Sequence, residues 1–239
     1  MKKYIDLAKF HYKRRHGYSF EADCLDFHSE EENIYFLGLL RSAKLYLEYG
    51  AGASTIVAGL QGVQTIVIES DPLFMSAVIN KLAEKKVDQY VTPVTRRVGL
   101  LGPWGEPFIS FLQPITPKRA LMFRCYSEPP SLVNPPLSSK QCHNSNEKLW
   151  VDNLPDLVLI DGRFRVACAL KILNHFLQNS YVDYKIIVDD YVSRKQYHIL
   201  EKFFAVDRKI GELASFSHKK GIDIDILHQT IKKFELIPD

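Results

Sequence analysis

An α/β chain with a doubly wound, Rossmann-like parallel sheet and helices on both faces is what this sequence predicts. Three observations carry that reading. Short β-branched and aliphatic runs alternate with helical periods from residue 44 onward. Acidic residues close those runs: Glu48, Glu69, Asp161, and Asp189 with Asp190. The first run opens directly into a glycine turn and a new apolar period, Glu48-Tyr49-Gly50-Ala51-Gly52-Ala53-Ser54-Thr55-Ile56-Val57.

The elements follow in order. Residues 1–27 mix basic and aromatic side chains, among them Lys13, Arg14, Arg15, Tyr18 and Phe20, and are expected to form a solvated helix face. Ser29 followed by Glu32 matches a capping box, and Ile34, Leu37 and Leu40 supply an apolar helix face to about residue 42. Leu45–Glu48 is the first strand and Ser54–Leu60 its helix. Gln64–Glu69 is the second strand, and Pro72 stands at a favoured first helical turn before Leu73–Lys85. Tyr90–Thr95 is the third strand, and Pro93 sends it to an edge.

Leu157–Ile160 is the fourth strand, followed by a helix marked by Val166, Leu170, Leu173 and Leu177. Lys185–Val188 is the fifth, and a helix carrying Ile199, Leu200, Phe203 and Phe204 comes next. Glu212–Ser217 and Ile222–Leu227 are candidate closing strands; the second equally suits the start of a helix to Phe234. Residues 99–150 are too long for one crossover and hold eight prolines, which predicts an insertion or lid around a short helix at Phe108–Leu112. One domain over 1–239 is expected, with residues 1–43 as a helical cap.

Composition narrows the class. The chain has 239 residues, 46% hydrophobic and 25% charged, ordinary for a globular protein. A net charge of +3 does not point to nucleic acid. Four cysteines without close pairing read as reduced thiols in a cytoplasmic setting. No apolar run approaches the ~18 residues that span a bilayer.

The strand ends carry the chemistry. A glycine turn at a helix N-terminus lets a nucleotide-like ligand approach the backbone. The preceding carboxylate of Glu48 suits a ligand with an ammonium group, as in S-adenosylmethionine (SAM). Glu69, seventeen residues after Gly52, suits two vicinal ribose hydroxyls; Asp71 is the alternative, or the cap of the next helix. Thr55 replaces the third glycine of a nicotinamide fingerprint. Tyr191 and Lys195 form a Tyr-x-x-x-Lys pair, which keeps an NAD(P)-dependent short-chain dehydrogenase in view.

Asp161, Asp189 and Asp190 would meet in one cleft from adjacent strands. Three such carboxylates repel one another unless a cation or protons intervene. An oxygen set of this kind suits Mg²⁺, with Mn²⁺ as its substitute. The alternative is that Asp189 and Asp190 cap the following helix.

On these residues the chain resembles the class I SAM-dependent methyltransferases. Glu48-Tyr49-Gly50-Ala51-Gly52 matches the family's first motif, Glu69 its ribose acid, and Asp156-Leu157-Val158-Leu159-Ile160-Asp161-Gly162 its fourth-strand motif. The resemblance covers roughly residues 29–205 and implies a seven-stranded sheet whose final strand is antiparallel. It implies cofactor contacts from Glu48, Gly50, Ala51, Gly52, Ser54, Thr55, Glu69, Ser70 and Asp161.

The acid pattern is similar to metal-dependent O-methyltransferases of the catechol and macrocin types, which implies a divalent ion on Asp161, Asp189 and Asp190. Phe164 stands where the catechol type has its lysine base, so Asp161 or a metal-bound hydroxide becomes the candidate base. Arg163 and Arg165 could orient an anionic or sugar acceptor, and Arg163 joins Asp161 as a catalytic candidate.

The expected function is methyl transfer to a hydroxyl of a sugar, glycan or other small molecule. A homodimer is left open, and neither nucleic acid nor a membrane is expected as partner. The rival is an inactive methyltransferase fold that binds RNA or protein. Lesser candidates are Trp104 as a pocket wall, Cys125 with Cys142 and His143 as a zinc set, His198 as a cleft residue, and His175 as a structural histidine.

Overall fold

The computed structural model describes residues 2–15, 17, 22–102, 105–110, 113–130 and 154–238. Seven strands form one sheet: β1 Leu45–Tyr49, β2 Gln64–Glu69, β3 Val91–Thr95, β4 Leu157–Ile160, β5 Lys185–Val188, β6 Ala205–Ile210 and β7 Leu213–Ser217. Their order is β3-β2-β1-β4-β5-β7-β6. β1 to β5 are mutually parallel, whereas β7 runs antiparallel between β5 and β6.

The helices are α1 Lys2–Arg15, α2 Glu30–Ser42, α3 Ala53–Leu60, α4 Pro72–Glu84, α5 Pro117–Ser127, α6 Arg165–Gln178 and α7 Ile224–Phe234. The central strands are apolar on both faces, as a covered parallel sheet requires. Alternate residues still serve different layers. Leu47, Val158 and Ile186 pack with α5, α6 and α7, while Tyr46, Leu159 and Ile187 pack with α2 and α3. Met75, Val78 and Leu82 of α4 close a third cluster on Val67 and Val91. Each fully buried side chain of this kind contributes about 1.5–3 kcal/mol.

Three expectations change. β6 was missed because it is an outer strand bearing Asp207, Arg208 and Lys209, charges that protect a sheet edge and erase the apolar pattern. The choice left open at Ile222–Leu227 falls to the helix α7, with Asp223 capping Ile226 N–H at 3.0 Å. The apolar run before β6 is a 3-10 helix over Lys195–Lys202, whose threefold repeat buries Tyr197 and Leu200.

In the insertion, residues 108–110 are not helical, and Leu112 lies outside the described residues. The helix there is α5, started by Thr116 as cap and Pro117 at its first turn. Its buried face includes Arg119, which breaks the apolar period. Arg119 donates to the carbonyls of Leu100 (3.3 Å), Phe108 (2.8 Å) and Gln113 (2.9 Å), binding the insertion's loops to one another.

The N-terminal cap also departs from expectation. Ser29 accepts from Glu32 N–H at 3.3 Å, but Glu32 does not complete a capping box. Its carboxylate accepts from Glu212 N–H at 2.6 Å and so ties α2 to the β6–β7 turn. α1 is helical as expected, yet it is not merely a solvated face. Arg14 donates to both oxygens of Asp71, at 2.6 and 2.8 Å. No described helix is long and apolar enough to cross a membrane.

Candidate active site

A cleft of about 610 Å³ opens at the carboxyl ends of β1, β2 and β4, a size that suits a cofactor-sized ligand. Its wall begins at the turn after β1. Gly50 has φ +98, and a Cβ there would stand 2.7 Å from Gly162 N. Two strand-end loops therefore meet with backbone against backbone. Gly50, Ala51, Gly52 and Ser54 line the cleft at the N-terminus of α3, where the helix dipole favours anionic ligand parts.

Glu48 lies behind this turn. It is fully buried, is not among the residues that line the cleft, and accepts hydrogen bonds from the Ser54 and Thr55 hydroxyls, the latter at 2.7 Å. Thr55 in turn accepts from Gly52 N–H at 3.0 Å. Direct contact between Glu48 and an ammonium group is thus not what this geometry offers. Glu48 and Thr55 shape the turn, and Ser54 is the member of the trio that faces the ligand space.

Burial pushes the Glu48 carboxyl up to about 7, against the pull of both hydroxyls. Its folded value lies above the ordinary 4.5, so the stabilisation from the protonated form is complete below that value and lost as pH rises through about 7. Wild-type stability should therefore fall by up to about 3 kcal/mol between about pH 5 and pH 8. Glu48→Gln should flatten that slope, as measured by denaturant unfolding at several pH values.

Glu69 ends β2 and lines the cleft. One oxygen accepts from Ala51 N–H at 3.2 Å; the other accepts from Ser70 Oγ at 3.0 Å and Asp71 N–H at 2.7 Å. Burial raises its pKa. Asp71 is the cap of α4, accepting from Leu73 N–H at 2.9 Å, and its charge is met by Arg14. Asp71 also lines the cleft, but with its cap and ion pair committed, Glu69 is the acid at the β2 end placed to meet ribose hydroxyls.

Phe164 turns the chain after β4. It is a bulky residue at φ +56, held by its ring against Phe123 (4.9 Å) and Tyr126 (5.7 Å). This kink starts α6 at Arg165, directly beside the acids. Arg165 is 4% exposed in its side chain and pairs with Asp161 at 3.0 Å, Asp190 at 3.1 Å and Asp189 at 3.7 Å. It also donates to the carbonyls of Gly162 (3.1 Å) and Asp189 (2.5 Å). Arg165 lines the cleft as well, but its guanidinium is engaged by the three carboxylates, so its first role here is to hold them rather than to orient an acceptor.

Asp190 adopts φ +55 and pairs further with Arg194 at 2.6 Å and with His28 Nε2 at 3.2 Å. Asp189 and Asp190 do not cap the 3-10 helix, whose first residues have no side-chain cap. His28, Asp189 and Asp190 bring ligand-type atoms within 4.8 Å of one another. The Asp161 side chain is 37% exposed at the cleft wall, and its carboxyl is raised above the usual carboxylate range by partial desolvation there and by Asp189 and Asp190, with Arg165 opposing them.

Asp161, Arg163, Ser70 and Asp190 line the cleft, whereas Asp189 sits behind it. The sequence offered no signal for three other wall residues. Tyr126 of α5 brings its hydroxyl to Arg163 N–H at 3.3 Å; Phe10 comes from α1 and Phe74 from α4. Trp104, Cys142 and His143 lie outside the described residues. Tyr191 is buried and donates to Glu201 at 2.9 Å, so the Tyr-x-x-x-Lys pair does not serve the cleft. His198 stacks on Tyr191 at 5.0 Å and is likewise no wall residue. His175 is buried within α6, where burial lowers its pKa.

Strand order and cleft together define the class I methyltransferase fold. A methyltransferase-like protein from Silicibacter pomeroyi matches over 90% of this chain and 99% of its own, at TM-score 0.65 and 24% identity. The O-methyltransferase TomG from Streptomyces achromogenes, solved with SAM, matches over 90% of each chain at TM-score 0.48 and 17% identity. An O-methyltransferase from Bacillus cereus, solved with SAH, covers 89% of this chain at TM-score 0.46 and 12% identity. The first match carries the fold. No family model and no curated protein sequence matches the chain.

Proposed function

We propose that this chain is a SAM-dependent methyltransferase acting on a hydroxyl oxygen of a small molecule, with a sugar or glycan hydroxyl as the favoured acceptor. The observation that carries the reading is the meeting of Gly50, Glu69 and Asp161 on one cleft from three strand ends. The Gly50–Ser54 turn would take the methionine part, Glu69 the ribose hydroxyls, and Asp161 would face the methyl.

Bound SAM supplies a methyl already activated by its sulfonium, so the protein's share is alignment and proton removal. Asp161 has a raised affinity for protons and one oxygen held by Arg165 at 3.0 Å. It would take the acceptor's proton as the new C–O bond forms and the S–C bond breaks. Arg163 lines the same wall and would hold a sugar hydroxyl or an anionic group.

Calorimetry with SAM tests the cofactor. The wild type should bind it, and Glu69→Ala should weaken binding by at least about tenfold, the loss of two hydrogen bonds from a carboxylate. A labelled-SAM screen across sugars, phenols and RNA then identifies the acceptor. Absence of SAM binding, with RNA or protein captured instead, would favour the inactive-fold reading.

A further inference from the structure

We propose that the Arg165 guanidinium takes the place of a divalent cation in the carboxylate cluster at the ends of β4 and β5, so that this cleft works without a metal. The inference deepens the methyl-transfer reading and rests on it for the use of Asp161; the charge argument itself does not depend on it. Three strand-end carboxylates converge here, and such a set needs a cation or protons to coexist. Arg165 meets all three, at 3.0, 3.1 and 3.7 Å.

Nor can it easily swing aside for an ion. Its Nε donates to Gly162 O and one terminal nitrogen to Asp189 O. The planar fork thus spans β4 and β5 with its donors committed.

The charge balance points the same way. Arg194 adds a second guanidinium on Asp190, and His28 meets the other Asp190 oxygen. Three acids therefore face two permanent cations. Mg²⁺ demands near-ideal octahedral oxygens at roughly 2.0–2.1 Å. Both Asp190 oxygens already accept from side chains, and a divalent ion among His28, Asp189 and Asp190 would sit against two guanidinium groups. In the metal set suggested by the acid pattern, Asp161, Asp189 and Asp190, each carboxylate is already met by Arg165, so that set does not fit a divalent ion.

The test is Mn²⁺ binding by the full-length protein, followed by electron paramagnetic resonance at neutral pH without cofactor. The wild type should leave the free-ion signal unchanged, and chelator should not move its unfolding temperature. Arg165→Met should remove one Mn²⁺ per chain from the free signal, and adding Asp189→Asn should cancel that gain. Wild-type binding of one Mn²⁺ that Asp189→Asn abolishes would overturn the proposal. So would a folded Arg165→Met that remains blind to Mn²⁺. Should Arg165→Met not fold, the wild-type measurement alone decides. SAM calorimetry on chelated wild type separates the two readings: no SAM binding removes the methyl-transfer reading without altering the Mn²⁺ result.

Discussion

Gly50→Ala is expected to lose SAM binding and to destabilise the fold. At φ +98 an alanine is strained, which costs about 1–3 kcal/mol. Its Cβ would also stand 2.7 Å from Gly162 N and 2.8 Å from Gly162 Cα. Those atoms are backbone and cannot rotate away, so relief requires the β1 and β4 loops to separate. Overpacking of this kind costs about a further 1–3 kcal/mol. The same separation would displace Ala51 N–H from Glu69, now 3.2 Å apart, and distort the cofactor wall. Denaturant unfolding and SAM calorimetry read the two effects. By contrast, Gly38→Ala on α2 meets nothing within 4 Å and should be tolerated in both assays.

Arg165→Met is expected to be the most damaging single loss of charge. Removing one partner from a buried ionic cluster typically costs about 3–5 kcal/mol, because the remaining charges stay buried without compensation. Here three carboxylates lose their shared cation, while Arg194 and His28 still serve only Asp190. Arg165 lowers the pKa of Asp190. A depressed folded pKa gives stability that is present above the unfolded value and lost as pH falls. The wild type should therefore lose this contribution on acidification, and the penalty of Arg165→Met should shrink as the carboxylates protonate. Unfolding of both proteins from about pH 2 to pH 7, a range that extends below the ordinary Asp value of 3.8, measures the difference.

Much of the sheet was legible because buried parallel strands leave continuous apolar runs with polar ends. Pro93 placed β3 at an edge, since proline cannot serve a central strand on both sides. β6 was not legible, because an edge strand keeps its charges and shows no buried period. α5 escaped for a related reason: its buried face depends on Arg119, whose partners are carbonyls of distant loops.

The site divides in the same way. Glu48, Gly50, Glu69 and Asp161 were recognisable from short spacings around strand ends. The need for a cation among Asp161, Asp189 and Asp190 was also readable, as a matter of like charges brought together. Its source was not. Asp161 and Arg165 are four residues apart, but β5 brings the other two acids to that guanidinium from twenty-four and twenty-five residues away. Tyr126 and His28 reach the cleft region from still more remote segments.

The sequence by itself thus determined the sheet's core and the acids at its strand ends, because periodicity and turn chemistry are local. Only the tertiary structure decided that Glu48 faces its own turn and that Arg165 supplies the cation, because the partners of a buried charge are set by which distant segments the fold packs against it.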